Sequence, residues 1–248
     1  KRKTRSRQLP GVSPLVFSRF LLEYAAFLSL MDMGKNLPSY EEIPIALDMP
    51  EDVRKAYEKA ESTLQKILRT DKKVAQKILS TYLNLLTVYP DQPYGQPEVI
   101  HPIDGSTIME PQNCGDFSRL LPKEEKVLEL VQQKVADGGR VLIYTSWTRT
   151  DSQKKLIKLL RENGYCTELL TPRVPTEKRE EWVDKQVKKG LQVLIANPRC
   201  LETGLDLNAF ATVIYYSMSY NLFTLRQASR RSWRINQTAT KVEVYMLY

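Results

Sequence analysis

Apolar side chains recur at helical spacing through the first half of the chain and gather into short continuous runs in the second. Val53, Ala56, Tyr57, Ala60, Leu64, Ile67 and Leu68 follow the rhythm of a helix with one buried stripe, and Pro50 stands where such a helix opens. The rhythm resumes from Val74 to Tyr89. Leu15 to Leu30 also reads as a helix, amphipathic because Arg19 and Glu23 interrupt its apolar positions. A short extended piece, Ile43 to Leu47, follows the LPSYEE turn. Periodicity then lapses between Pro90 and Leu121, a segment rich in proline and carrying Gly95, Gly105 and Gly115. Such punctuation predicts a loop-rich linker and a domain boundary.

Beyond the linker, apolar runs alternate with amphipathic helices. Helices are expected at Lys123–Ala136, Asp151–Asn163, Thr176–Lys189 and Leu222–Ile235. Strands are expected at Arg140–Thr145, Tyr165–Leu170, Gln192–Ala196, Ala211–Tyr216 and Lys241–Leu247. Gly164 stops the second of those helices. Strands that are apolar throughout and separated by helices predict an α/β fold, a mostly parallel sheet with helices on both faces, preceded by a mainly helical segment. The expected organisation is a basic start and amphipathic helix over 1–36, a helical flanking region and linker over 37–118, and an α/β lobe over 119–248. In open sheets of this kind ligands meet the loops at the carboxyl ends of the strands. Those loops are Ser146–Thr150, Thr171–Thr176, Asn197–Asp206 and Ser217–Thr224.

Charge narrows the partners. The 37 basic and 29 acidic residues among 248 leave a formal charge of +8, which favours a polyanion. Lys1 to Arg7 (KRKTRSR) reads as a linker-like run, whereas Arg226, Arg230, Arg231, Arg234 and Lys241 fall within a periodic segment. Cys114, Cys166 and Cys200 lack the spacing of a zinc site or a disulfide framework, which points to a reducing compartment. His101 stands in a proline-rich stretch, so a Ser-His-Asp relay or a histidine metal site is not expected. No metal site and no membrane span are predicted, and the expected location is cytoplasmic or nucleoid-associated. The chain starts with Lys, as a piece of a longer protein would.

The segment Gln227–Gln237, QASRRSWRINQ, carries the candidate chemistry. On a continuous helix Gln227, Arg231 and Arg234 fall at i, i+4 and i+7 and share one face. Two guanidinium groups and an amide on one stripe suit a solvated basic face. That is the usual meaning of such a cluster; the other reading is a phosphate-binding face, because arginine keeps its charge and presents a planar fork to phosphate oxygens.

QASRRSWRINQ resembles motif six of Swi/Snf-type superfamily-two helicases, Q-A-x-x-R-x-x-R-I-G-Q. ETGLDL (Glu202–Leu207) is similar to their motif five, ATVIYYS to the strand after it, SYN (Ser219–Asn221) to their W-N element, and VLIYTSW (Val141–Trp147) to motif four. VPTEKREEWVDK (Val174–Lys185) resembles the segment beginning S-x-E-E-R, and Leu37–Glu58 the strand and helix before the second lobe. The likeness is dense from Gly138 onward and thinner over Leu37–Leu121.

The resemblance implies the second RecA-like lobe of an ATP-dependent helicase or translocase. It implies that Arg234 is an arginine finger, that Arg231 is its partner at the γ-phosphate of ATP, and that Gln227 positions these groups or the attacking water. Gly204 and Asp206 would line the nucleotide cleft with the two arginines, while Ser146, Thr203 and Arg179 would contact nucleic-acid phosphates. ATP and Mg2+ would be bound mainly by a first lobe, since no G-x-x-x-x-G-K-[ST] phosphate loop occurs in this sequence. The chain alone is therefore expected not to hydrolyse ATP efficiently. The implied partners are that first lobe and nucleic acid, DNA before RNA. Two positions depart from the pattern: Trp233 replaces histidine, and Asn236 replaces glycine as a residue that tolerates a left-handed backbone. The alternative is a non-enzymatic module that keeps the lobe shape to bind nucleic acid or a partner. A transferase with a similar nucleotide-binding lobe is a third reading.

Overall fold

The computed structural model describes residues 13–26, 37–147, 150–201, 205–218 and 221–248. Contacts divide the chain at Leu37 into two units. In the first, the described residues form one short helical run: a single turn α1 (Pro14–Val16), a π turn (Phe17–Leu21) and a 3-10 turn (Leu22–Tyr24). The helix expected over Leu15–Leu30 therefore ends at Tyr24 within the described part. Ala25 turns to an extended backbone there, and residues 27–36 with the KRKTRSR run lie outside the description.

The second unit is built on a six-stranded sheet in the order β1-β8-β7-β4-β6-β5, and every neighbouring pair is parallel. The strands are β1 (Ser39–Ile45), β4 (Val141–Tyr144), β5 (Thr167–Leu170), β6 (Val193–Ala196), β7 (Thr212–Tyr215) and β8 (Lys241–Leu247). The extended piece expected at Ile43–Leu47 begins earlier, at Ser39, and is an edge strand. Ser39 to Ile45 pair residue for residue with Lys241 to Leu247, so a segment distant in sequence closes one side of the sheet.

Period-two alternation sends side chains to two faces. Val141, Ile143, Val193, Ile195, Ile214 and Leu247 pack beneath α4 (Pro122–Ala136) and α5 (Ser152–Glu162). Leu142, Tyr144, Leu194, Val213, Tyr215 and Val244 form the opposite core with α6 (Arg179–Lys188) and α7 (Leu222–Ser229). Both faces of the central strands are fully buried, which is why their sequences read as unbroken apolar runs.

Helices α2 (Glu51–Thr70) and α3 (Lys72–Val88) pack on one another, and a small hairpin of β2 (Val99–Ile100) and β3 (Thr107–Met109) joins them around Val53, Leu64, Tyr89 and Cys114. Asp71 breaks the two helices apart and caps the second, its carboxylate accepting from the backbone N–H of Lys73 and Val74. His101 sits in the hairpin turn, 2.8 Å from Asp104.

Buried charge ties this helical arm to the sheet. Asp91, just beyond α3, pairs with Lys123 of α4 at 2.9 Å, and within the lobe Glu124 of α4 pairs with Lys155 of α5 at 2.8 Å, both carboxylates being sealed from solvent. Gln92 Oε1 accepts from the backbone N–H of Asp151 at the start of α5, and Arg119 reaches Asp52 with both Nη atoms. Burial pushes the Asp91 carboxyl up to about 6 in spite of Lys123, and raises that of Glu124 as well.

Candidate nucleotide cleft and nucleic-acid edge

Tyr144 and Tyr215 end adjacent strands, and their rings stack with centroids 5.0 Å apart. The Tyr144 hydroxyl donates to the carbonyl of Ala228 at 3.1 Å and that of Tyr215 to Leu225 at 2.6 Å, which fixes α7 across the sheet. Burial pushes both phenols far above their ordinary range, so they stay protonated donors. The positive charge of Arg231 acts on Tyr144 in the opposite sense.

The helix expected through Ile235 stops at Ser229, and Gln227, Arg231 and Arg234 do not share a helical stripe. After Arg230 the backbone makes three-residue turns, with the N–H of Arg231 bonded to Ala228 O at 3.2 Å and that of Trp233 to Arg230 O at 3.3 Å. One local bond, one bond from a distant segment and the burial of Ser232 accompany the break. The Ser229 hydroxyl bonds back to Arg226 O, the Leu207 N–H takes the Arg231 carbonyl at 3.2 Å, and Ser232 is completely buried. Trp233 docks on the start of β1: its indole N–H donates to Pro38 O at 2.8 Å and its ring meets Tyr40 at 5.2 Å, with the Arg230 guanidinium 5.9 Å from the ring centroid. Asn236 does not use a left-handed conformation, since every described non-glycine residue has negative φ. A turn closed from Gln237 N–H to Arg234 O serves instead.

The turns bring Arg231 and Arg234 against the segment Leu205–Leu207. Arg234 Nε lies 3.5 Å from Asp206 Oδ1 without forming a hydrogen bond, and the two side chains are 39% and 46% exposed. Arg231 is half-buried and Gln227 exposed in the last turn of α7. Thr203 and Gly204 lie outside the described residues.

The carboxyl edge holds the other expected contacts separately. The Ser146 N–H donates to Ser217 Oγ at 2.8 Å and its hydroxyl to Ser217 O at 3.0 Å, while its carbonyl accepts from Asn197 Nδ2 at 3.0 Å. Loops after β4, β6 and β7 are thus laced together, and both Ser146 donors are engaged. Arg179 Nη1 donates to Cys200 O at 2.7 Å and its Nε to Val174 O at 3.1 Å, joining the loops after β5 and β6. Its Nη2 remains for another acceptor. Asn197 and Ser217, which organise this edge, were not singled out among the sequence candidates. Their signal is a polar residue at the end of an apolar run, placed where ligands meet such sheets. Among the described residues no group of His, Cys, Asp and Glu side chains could hold a metal ion, and no helix is long and apolar enough to cross a membrane.

Residues 122–236, from the first turn of α4 to the arginine turns, match the helicase conserved C-terminal domain. This region is a helicase C-terminal domain, and its likeness is to Swi/Snf-type ATPases. The RecA-like lobe has solved counterparts that support its fold. The C-terminal part of the Fun30 ATPase domain superposes with a TM-score of 0.61 at 18% identity, covering 85% of each chain. The Sulfolobus solfataricus SWI2/SNF2 ATPase core, solved in complex with dsDNA, gives 0.62 at 18% identity over 85% of this chain and 41% of that one. Among curated relatives, the mouse chromatin-remodeling ATPase INO80 is 28% identical over 155 residues, 59% of this chain and 10% of its own length. A putative ATP-dependent helicase/translocase of Bacillus subtilis, YwqA, is 30% identical over 115 residues, 46% of this chain and 12% of its own. The chain thus spans about a tenth of the length of these relatives.

Proposed function

We propose that the lobe is the second half of an ATP-driven DNA translocase motor, and that Arg231 and Arg234 supply positive charge to an ATP molecule held with Mg2+ by a first lobe of the full-length protein. The observation that carries this reading is the partly exposed guanidinium of Arg234, set beside Asp206 by the turns after α7. Asp206 engages Arg234 only loosely through Nε, so the two Nη groups are left to meet phosphate oxygens. In phosphoryl transfer charge spreads over the equatorial oxygens, and an arginine delivered there is worth about 10³–10⁵ in rate. Arg231 acts beside it, and Gln227 helps to orient the groups or the attacking water. Gly204 would allow close backbone approach in the same cleft. Mg2+ would be held on the first lobe.

Nucleic acid, duplex DNA in the first instance, would run along the carboxyl edge, where Ser146, Thr203 and Arg179 address phosphates. The Sulfolobus core solved with dsDNA supports DNA over RNA. Ser146 must release Ser217 to donate to a phosphate, so its contact forms on binding. The protein would then act in association with DNA, and this chain by itself would be inactive as an ATPase.

Transition-state analogue binding separates the motor from a non-enzymatic module. In the full-length protein, ADP with an aluminium fluoride should bind far more weakly to Arg234→Ala than to the wild type, while ATP itself binds nearly as before. Equal analogue affinity in both proteins would remove the arginine from the reaction.

A further inference from the structure

A hollow of about 300 Å³ opens beside α6, outside the cleft and at the outermost corner of the sheet. Its floor is Val174, Pro175 and the half-buried indole of Trp182, and its rim is Arg173, Lys178 and Lys185, with Glu181 among them. Lys178 ends the 3-10 turn Thr176–Lys178 that leads into α6. Lys178, Trp182 and Lys185 thus fall at i, i+4 and i+7, a row about 10 Å long with the indole between two ammonium groups. Arg173, Lys178 and Lys185 form no ion pair among the described residues, and the Trp182 N–H makes no hydrogen bond there.

We propose that this hollow is a docking site for an acidic peptide segment of a partner protein, one that inserts an apolar side chain against Trp182 and Pro175 and sets carboxylates on Arg173, Lys178 and Lys185. Charge complementarity selects an anionic occupant, since the rim carries three cations against one anion. Shape selects a peptide over a duplex. A duplex presents a convex backbone of evenly spaced phosphates and would leave the indole and the proline unmatched. An extended peptide projects successive side chains to opposite sides, so an apolar anchor and flanking carboxylates fit a concave apolar floor with a charged rim. Tryptophan and arginine are also the side chains that anchor protein interfaces most strongly. The proposal does not depend on the arginine-finger reading.

The test uses the full-length protein and a short fluorescent peptide of glutamates and aspartates around a central Leu-Phe pair. Its comparators are a version with lysines in place of the acids, a single-stranded oligonucleotide and a duplex. The acidic peptide should bind in the micromolar range and the lysine version not at all. Lys178→Glu with Lys185→Glu should weaken the acidic peptide at least about tenfold, and Trp182→Ala by a similar factor. The two exposed lysines can be reversed without touching the core, so the charge variant remains informative if Trp182→Ala unfolds; circular dichroism melts check both. Binding unchanged in the charge variant, or no preference for the acidic over the lysine peptide, overturns the proposal. It is also overturned if the variant loses the oligonucleotide and not the peptide, an outcome that makes the hollow a nucleic-acid subsite.

Discussion

Arg234 and Asp206 illustrate how little the structure restrains the side chain on which the proposed chemistry rests. A 3.5 Å contact with no hydrogen bond and about 40% exposure holds the guanidinium near its place without neutralising it. Asp91 and Lys155 behave differently because they are buried. The Asp91 carboxyl has its pKa raised by burial from 3.8 to about 6, so the folded chain binds more protons than the unfolded chain between those values. Stability tied to this group is therefore complete below about pH 4 and declines as pH rises through about 6. Comparing denaturant melts of wild type and Asp91→Asn should isolate it. Between about pH 4 and pH 7 the variant should gain on the order of 2–3 kcal/mol relative to wild type, and a constant difference would place the titration elsewhere. Lys155 neutralises Glu124 with neither side chain reaching solvent. Lys155→Ala should cost about 3–5 kcal/mol in a urea melt, and the paired change Lys155→Met with Glu124→Leu should restore most of it.

Helix ends and edge strands decide where those residues fall. Gly164 ends the segment after α5 with φ +83, and a Cβ there would meet open space. Gly164→Ala should therefore cost only the left-handed backbone, about 1–2 kcal/mol, measured as a lower midpoint with unchanged m-value. This stop was legible in the sequence, as were the central strands, because burial on both faces leaves unbroken apolar runs such as VLIY and TVIY. The end of α7 was not legible. Continuous helical spacing through Ile235 is a local signal, and it yields to the non-local Leu207–Arg231 bond and to Trp233 docking on Tyr40 and Pro38. The arginines were singled out by their type and by the resemblance of their motif, although the helical geometry expected of them does not form. The full extent of β1 was hidden for a related reason, since its partner strand lies some two hundred positions away and Pro44 weakens its local strand character.

At the scale of the larger unit, a parallel RecA-like lobe carries a helical arm joined to it by the buried Asp91–Lys123 pair and the Asp151–Gln92 hydrogen bond, with strand-end loops bonded to one another. If nucleic acid follows those loops, its affinity in the full-length protein should fall with salt at a log–log slope of about −0.9 per duplex phosphate neutralised. A flat dependence would speak against backbone contacts. Each lobe of the proposed motor holds only part of the chemistry, so the decisive readout is turnover by the intact protein. Steady-state ATP hydrolysis at saturating duplex should be compared between wild type and Arg234→Ala, with duplex affinity measured on the same preparations. The account predicts a loss of about 10³-fold or more in turnover with duplex binding retained. Turnover that stays within a few-fold of wild type would contradict it.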